Sequence, residues 1–393
     1  MSTLISTLKK EIEHSKDAFG LLETTSPQVD FDGQLTYDAQ PLLYERVENA
    51  GLITYDQQNG LLNISNNSAI GDTYIQTYRY FPYRPGIGKK VFITFNFEGS
   101  VLNNTKYVQF GDDDNAFVLR LLPDGTLEGH LITETTQGNQ SSPAIDLVGL
   151  GIDVNTEQIC VIQFEALYVG SVQIGLQLGG EVVWVATFDN ANNTTRPYIR
   201  TANLPVRVGI DSTSTTPASM LFNCTSVQNM GGSEAVTGYD FSSFAEVTAG
   251  NGTPTHALSV RPKLLFKTRT NRVDFIDFSI EIAVRGNTPV RWKLAVGQVL
   301  TDPTYTDVNT DYSAMEFEAN GTLSGTPAIV LDSGTILATN QVKSGTLKKI
   351  PFKYPITLDA VGNHRDLGTL TLIIEGIGGT SICDTYIHHR EVR

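Results

Sequence analysis

The chain has 393 residues, of which 40% are hydrophobic and 18% charged, and its formal net charge is −14. That is enough apolar material for two or three packed cores and too little charge for a disordered polyelectrolyte. So acidic a balance argues against nucleic acid as the partner, because affinity there comes mostly from basic groups on phosphates.

Residues 2–22 hold the helical pattern, with Leu4, Leu8 and Ile12 recurring at i, i+4 and i+8 between charged residues. An N-terminal helix within 1–25 is predicted, docked on its own body or on a partner, and Ser26-Pro27 ends it. Residues 28–70 read as short strands and turns.

The stretch Thr77–Gly99 organises the strands after it. Tyr78, Arg79, Tyr80, Tyr83 and Arg84 interleave aromatic and basic side chains, and Pro85-Gly86 turns the chain. Val91, Ile93, Phe95 and Phe97 then alternate with polar residues, which predicts a half-buried strand. Aromatic and arginine residues together mark protein interfaces, and they also stack on sugar rings. The collar is expected to be an interface, packed against a second domain or a neighbouring copy, with a glycan as the alternative ligand.

Tyr107–Phe110, Ala116–Leu122 and Leu127–Ile132 read as strands, separated by turns at Gly111–Asn115 and Pro123–Thr126. Over 159–188 strict alternation, broken at Tyr168–Ser171 and Gly179-Gly180, predicts a three-stranded meander. Further strands at Leu204–Ile210 and Ser219–Gln228 complete a sandwich.

Residues 1–239 carry 13 basic and 26 acidic residues, against 15 and 16 in 240–393. That shift, with the Gly-rich run from Met230 to Gly238, predicts domains at 26–237 and 238–393. The second is read as strands at Leu258–Thr268, Val273–Val284, Val290–Val296, Ala314–Phe317, Ile329–Leu331, Leu347–Pro351 and Leu370–Glu375. The expected fold is all-β: two antiparallel, jelly-roll-like β-sandwich domains behind a short N-terminal helix.

Chemistry-bearing motifs are sparse. No nucleophile elbow, zinc-protease helix or phosphate-binding glycine loop is present, so no catalytic, cofactor-binding or metal residue is assigned. Cys160, Cys224 and Cys383 have neither disulfide-framework nor metal spacing. Asp112–Asn115 offers carboxylates to a hard cation but lacks the remaining positions of a calcium loop, and reads as an acidic turn. Glu316 and Glu318 could pair as glycosidase carboxylates, although a charged strand edge explains them as well. Arg261, Lys263, Lys267 and Arg269, placed on one strand face, form the strongest basic patch and are expected to meet an acidic protein surface. No leader sequence or membrane-length apolar run is found, so a soluble protein made in the cytoplasm is expected, with no membrane partner.

Over roughly residues 74–393 the chain resembles an uncharacterised family of tailed-bacteriophage virion proteins. The resemblance is carried by Arg79–Gly86, Phe110–Phe117, Phe164–Val172, Asn190–Thr194, Arg200–Val206, Leu258–Lys263 and Gly376–Thr380. The ending departs from the family pattern, with His389 where tryptophan is more usual. The resemblance implies a non-enzymatic structural component of the virion, in head decoration, fibre or tail. It would assemble with other virion proteins and copies of itself. The alternative is a module that binds a host-surface glycan or receptor.

Overall fold

The computed structural model describes residues 27–67, 69–200, 203–230, 237–337 and 354–393, together with the backbone of 344–349. The helix expected within 1–25 lies outside the described residues. The chain divides into two compact units, Met1–Glu234 and Ala235–Arg393. Both are built from antiparallel sheets, so the all-β, jelly-roll-like expectation holds.

In the first unit one sheet runs in the order β13 (Glu181–Phe188), β12 (Val172–Leu178), β11 (Gln158–Phe164), β6 (Gly88–Asn96), β15 (Ala218–Met230), β4 (Leu61–Asn66) and β3 (Gly51–Asp56). Strand β1 (Gln28–Gln34) also pairs with β15. The facing sheet runs β10 (Gln140–Ser141), β9 (Leu127–Ile132), β8 (Ala116–Leu121), β7 (Asn104–Gly111), β14 (Val206–Ser212), β5 (Gly71–Thr77) and β2 (Tyr44–Glu48).

The alternation read from sequence explains why these strands pack as they do. Val91, Ile93, Phe95 and Phe97 point into the core and are at most 1% exposed. Phe164 is ringed by Phe117, Phe110 and Tyr83, at centroid distances of 4.9, 5.7 and 6.3 Å. Such ring pairs add about 0.5–1.5 kcal/mol each beyond the area they bury. The meander is present as β11, β12 and β13. Its Gly179-Gly180 turn has φ of 59° and 90°, the left-handed pair that a two-residue hairpin of this type requires. Lys106 enters the core from β7, where its ammonium group donates to the carbonyls of Phe97 (2.5 Å) and Gly99 (2.8 Å). Burial pulls its pKa down to about 8.

The second unit has a four-stranded sheet, β16 (Tyr239–Ala249), β29 (Ser381–Val392), β20 (Asp274–Arg285) and β27 (Ser344–Lys349). Its larger sheet has the order β23 (Thr306–Asp307), β24 (Met315–Glu318), β17 (Thr255–Pro262), β28 (Leu370–Gly376), β21 (Val290–Val296) and β26 (Ile329–Ile336). Two ribbons complete it, β18 (Leu265–Phe266) with β19 (Arg269–Thr270), and β22 (Val299–Thr301) with β25 (Thr322–Ser324).

One predicted strand is corrected here. Leu258–Thr268 is not continuous: β17 stops at Pro262, which has no N–H to donate to a ladder. Lys267 and Thr268, at φ 49° and 69°, then turn a tight ribbon. Lys263, Lys267 and Arg269 therefore do not share a strand face with Arg261.

Candidate functional site

The inward side chains of β5, β7 and β14 (Ile75, Val108, Phe110, Val206, Val208 and Ile210) belong to the core of the first unit. The alternate positions point outward, and the pairing of the strands sets them in three rows. In the first, Arg207 on β14 lies between Gln76 on β5 and Gln109 on β7. In the second, Gly209 lies between Tyr74 and Tyr107, and Arg120 on β8 continues the row to Glu128 on β9. In the third, Asp211 directly opposes Asp72.

An outward sheet face is usually wet, but the first two rows of this one are buried on β5, β7 and β14. Arg207 is 2% exposed, Gln76 0% and Gln109 4%, while Tyr74 and Tyr107 are buried without belonging to the hydrophobic core. Arg207 donates from Nε to Gln76 Oε1 (2.8 Å) and from Nη1 to Asp113 Oδ1 (2.5 Å). Its Cζ lies 4.2 Å from the centre of the Tyr74 ring. Its Nη2 is buried and has no hydrogen-bond partner, and Arg120 Nε is in the same condition. A buried donor that stays unmatched costs roughly 1–3 kcal/mol.

Gly209 creates room for this arrangement. A Cβ there would lie 2.5 Å from Tyr74 Cβ and 2.8 Å from the Tyr107 hydroxyl, so only glycine lets the two tyrosines close over the strand.

The electrostatics divide the charged groups. Burial works against the Arg207 charge, but Tyr107, Asp113 and Tyr74 outweigh it and hold the guanidinium protonated. Burial raises the Asp72 pKa to about 6, helped by Asp211 and Asp113 and opposed by Arg207 and Arg120. Across the sheet, burial and Arg120 lower the pKa of His130 against the pull of Glu128, 3.2 Å away.

The residues singled out in sequence lie elsewhere. The collar is not a surface. Arg79 pairs with Asp30 at 3.0 Å, and Lys89 reaches the same carboxylate at 3.4 Å. Tyr80 is buried and its hydroxyl accepts from Gln76 Nε2 at 3.2 Å, so it braces the first row. The Tyr83 hydroxyl accepts the backbone N–H of Tyr168. Tyr78 and Arg84 are half-buried. In the second unit, Arg261 is spent on Glu316 (2.6 Å) and Lys263 on Asp307 (3.0 Å). Lys267 and Arg269 sit on the β18–β19 ribbon, with the Lys267 ammonium 6.0 Å from the Phe266 ring.

Neither the Asp112–Asn115 turn nor the Glu316 and Glu318 pair survives as a free site, because each is consumed by local bonds. Asp112 Oδ1 accepts the N–H groups of Asp114 and Asn115, both at 3.1 Å, closing its own turn. Among the described residues no group of three or more acidic, histidine or cysteine side chains is placed to hold a metal ion. Glu316 is held by Arg261, and Glu318 is buried and accepts the N–H groups of Thr304 and Asn320.

Reasoning from sequence misses Arg207, Tyr74, Tyr107 and Asp72. The one available signal is a strand with arginine and aspartate alternating with valine and isoleucine. It cannot be told from an ordinary solvated face.

No family model and no curated protein matches the chain. Among solved structures it is similar to the endo-1,3-β-glucanase of Streptomyces sioyaensis, with 10% identity, 53% of this chain and 96% of that one covered, and a TM-score of 0.39. It is likewise similar to the endo-β-1,3-glucanase of Pyrococcus furiosus, with 10% identity, 53% and 96% coverage and a TM-score of 0.38. For the Crh5 transglycosylase the values are 14% identity, 54% and 90% coverage and a TM-score of 0.36. Identities this low place the likeness at the level of the fold.

Two expectations are corrected by these neighbours. The sequence pointed to a non-enzymatic structural component of a virion, whereas the neighbours are glycan-acting enzymes. Neither the virion role nor the absence of enzymatic activity is retained.

Proposed function

We propose that the first unit is a carbohydrate-recognition domain that takes a glycan on the outward face of its β7–β14–β5 sheet. The observation that carries this reading is Arg207, a buried guanidinium with an unmatched Nη2 donor, set against the Tyr74 ring. Sugar hydroxyls are acceptors as well as donors, and pyranose rings present apolar C–H faces. Guanidinium and amide side chains answer the first need, and the Tyr74 ring, itself 5% exposed, acts by holding Arg207 in place.

Asp72 and Asp211 favour a second reading, that the bound glycan is also cleaved. The Cβ atoms of directly opposed residues on neighbouring strands stand about 5 Å apart, which lets their carboxyl groups reach the roughly 5–5.5 Å of pairs in retaining glycosidases. One of the pair, Asp72, is half-buried with its pKa raised to about 6, and the other is exposed. A carboxyl that keeps its proton beside one that ionises divides the acid and nucleophile roles. Asp72 would protonate the departing glycosidic oxygen while Asp211 attacks the anomeric carbon. Water would then release the sugar, with Asp72 acting as base.

A glycan array with wild-type protein and Tyr74→Ala tests binding. The wild type is expected to retain at least one glycan class, and the variant to lose it at least tenfold. An empty array, or equal binding by both, rejects the site. Reducing-end release from the retained glycan tests cleavage. It should fall as pH rises through about 6, the Asp72 value, because the acid form is then lost. It should vanish in Asp72→Asn, and cleavage that persists in that variant removes the assignment.

A further inference from the structure

A second cavity in the first unit shares no residue with the sheet-face site. It is an open cleft of about 390 Å³ where three loops gather beyond the ends of β9, β11 and β13. That lies within the roughly 300–1,000 Å³ of small-ligand sites. Its lining includes Tyr168, Arg196, Arg200, Glu134 and Thr136.

Tyr168 is held in an unusual way. Its φ is 62°, in the left-handed region that a bulky side chain avoids. The surroundings fix it there. Its N–H donates to the Tyr83 hydroxyl, its carbonyl accepts the Tyr198 N–H at 3.1 Å, and its ring lies 4.8 Å from that of Tyr83. Tyr83 is itself packed on Phe164. The buried collar thus presents an exposed aromatic ring at the cavity wall, and strain maintained by so many contacts is characteristic of ligand sites.

The two arginines supply charge. Arg196 donates to Thr136 Oγ1 at 3.1 Å, and neither Arg196 nor Arg200 makes an ion pair among the described residues. Both guanidinium groups are exposed and outnumber the one carboxylate of the lining, Glu134, so beside the aromatic ring they suit an anion attached to a flat apolar body. Glu134, a carboxylate in the lining, accepts from Asn115 Nδ2 at 3.2 Å and can take a sugar hydroxyl.

We propose that this cavity binds an acidic sugar residue, with its ring face on Tyr168 and its carboxylate on Arg196 and Arg200. The inference does not rest on the sheet-face reading, and Tyr74→Ala separates the two.

Calorimetric titration of the full chain with galacturonate, glucuronate and sialic-acid-terminated oligosaccharides tests it. Neutral oligosaccharides of equal length and inorganic phosphate serve as controls. At least one acidic series is expected to bind, at least tenfold more tightly than either control, and Tyr74→Ala should leave that affinity unchanged. Arg200→Ala and Tyr168→Gly should each weaken it at least tenfold. Glycine accepts the positive φ at position 168, so loss of binding there with an unchanged melting temperature reports the ring and not the fold. Three outcomes overturn the proposal: no acidic series binds, phosphate binds as tightly, or Tyr168→Gly binds like wild type.

Discussion

Arg207→Ala is expected to lower glycan affinity at least a hundredfold and to destabilise the first unit by about 2–4 kcal/mol. The estimate combines lost charge-assisted hydrogen bonds, worth about 1.5–3 kcal/mol, with the void left by a side chain that is 2% exposed. Gln76 Oε1 would remain buried without its donor, whereas Asp113, whose side chain is 80% exposed, would simply be hydrated. Arg207→Lys separates the two effects. It keeps the charge but not the planar fork, so stability should partly return while binding does not. The chain has two tryptophans, Trp184 in the first unit and Trp292 in the second. Urea unfolding in a Trp292→Phe background therefore reports the first unit alone. Affinity within threefold of wild type in Arg207→Ala would remove Arg207 from the site.

The second large effect is structural and lies in the second unit. Glu391 is fully buried on β29 and accepts from Ser313 Oγ (2.6 Å), the Ala314 N–H (2.9 Å), His389 Nε2 (3.3 Å) and Arg393 Nη2 (2.8 Å). Glu391→Ala is expected to cost about 3–5 kcal/mol, because it strands these donors around an emptied site. Burial pushes the Glu391 carboxyl up, but the hydrogen bonds from His389, Ser313, Arg393 and Ala314 outweigh it and hold the pKa below the ordinary 4.5. A folded-state pKa below the unfolded one gives stability that is present above pH 4.5 and lost as pH falls through the folded value. Trp292 fluorescence in a Trp184→Phe background should show this acid loss in wild type and not in Glu391→Gln. A cost below about 1 kcal/mol for Glu391→Ala would mean that the donors find other partners.

Some of the architecture is legible in the sequence because period-2 alternation is a local signal. Val91–Phe97, the 159–188 meander and Val290–Val296 are strands for that reason. The β16–β29 pair, in register from Tyr239–Glu391 to Ala249–Ser381, escapes a reading of the sequence. Its pattern runs against the usual one, with Ser243, Ala245 and Ala249 facing inward and Phe244 46% exposed outside. On β29, His389 and Glu391 point inward as well. His389 is surrounded by Phe275, Phe241 and Phe278 at centroid distances of 5.9–6.0 Å.

The candidate sites are less legible than the strands. Thr77–Gly99 has the look of a ligand or interface surface because tyrosine and arginine alternate there. In the fold most of those side chains are buried, and two of them support other places, Tyr80 bonded to Gln76 and Tyr83 to Tyr168. Composition and alternation by themselves determined that the chain is all-β and which face of each regular strand is apolar. Only the tertiary structure decided which outward faces are buried and which arginines pair with a carboxylate. Strand register between residues more than a hundred positions apart, such as Arg207 and Gln76, sets those neighbours, and no local pattern encodes it.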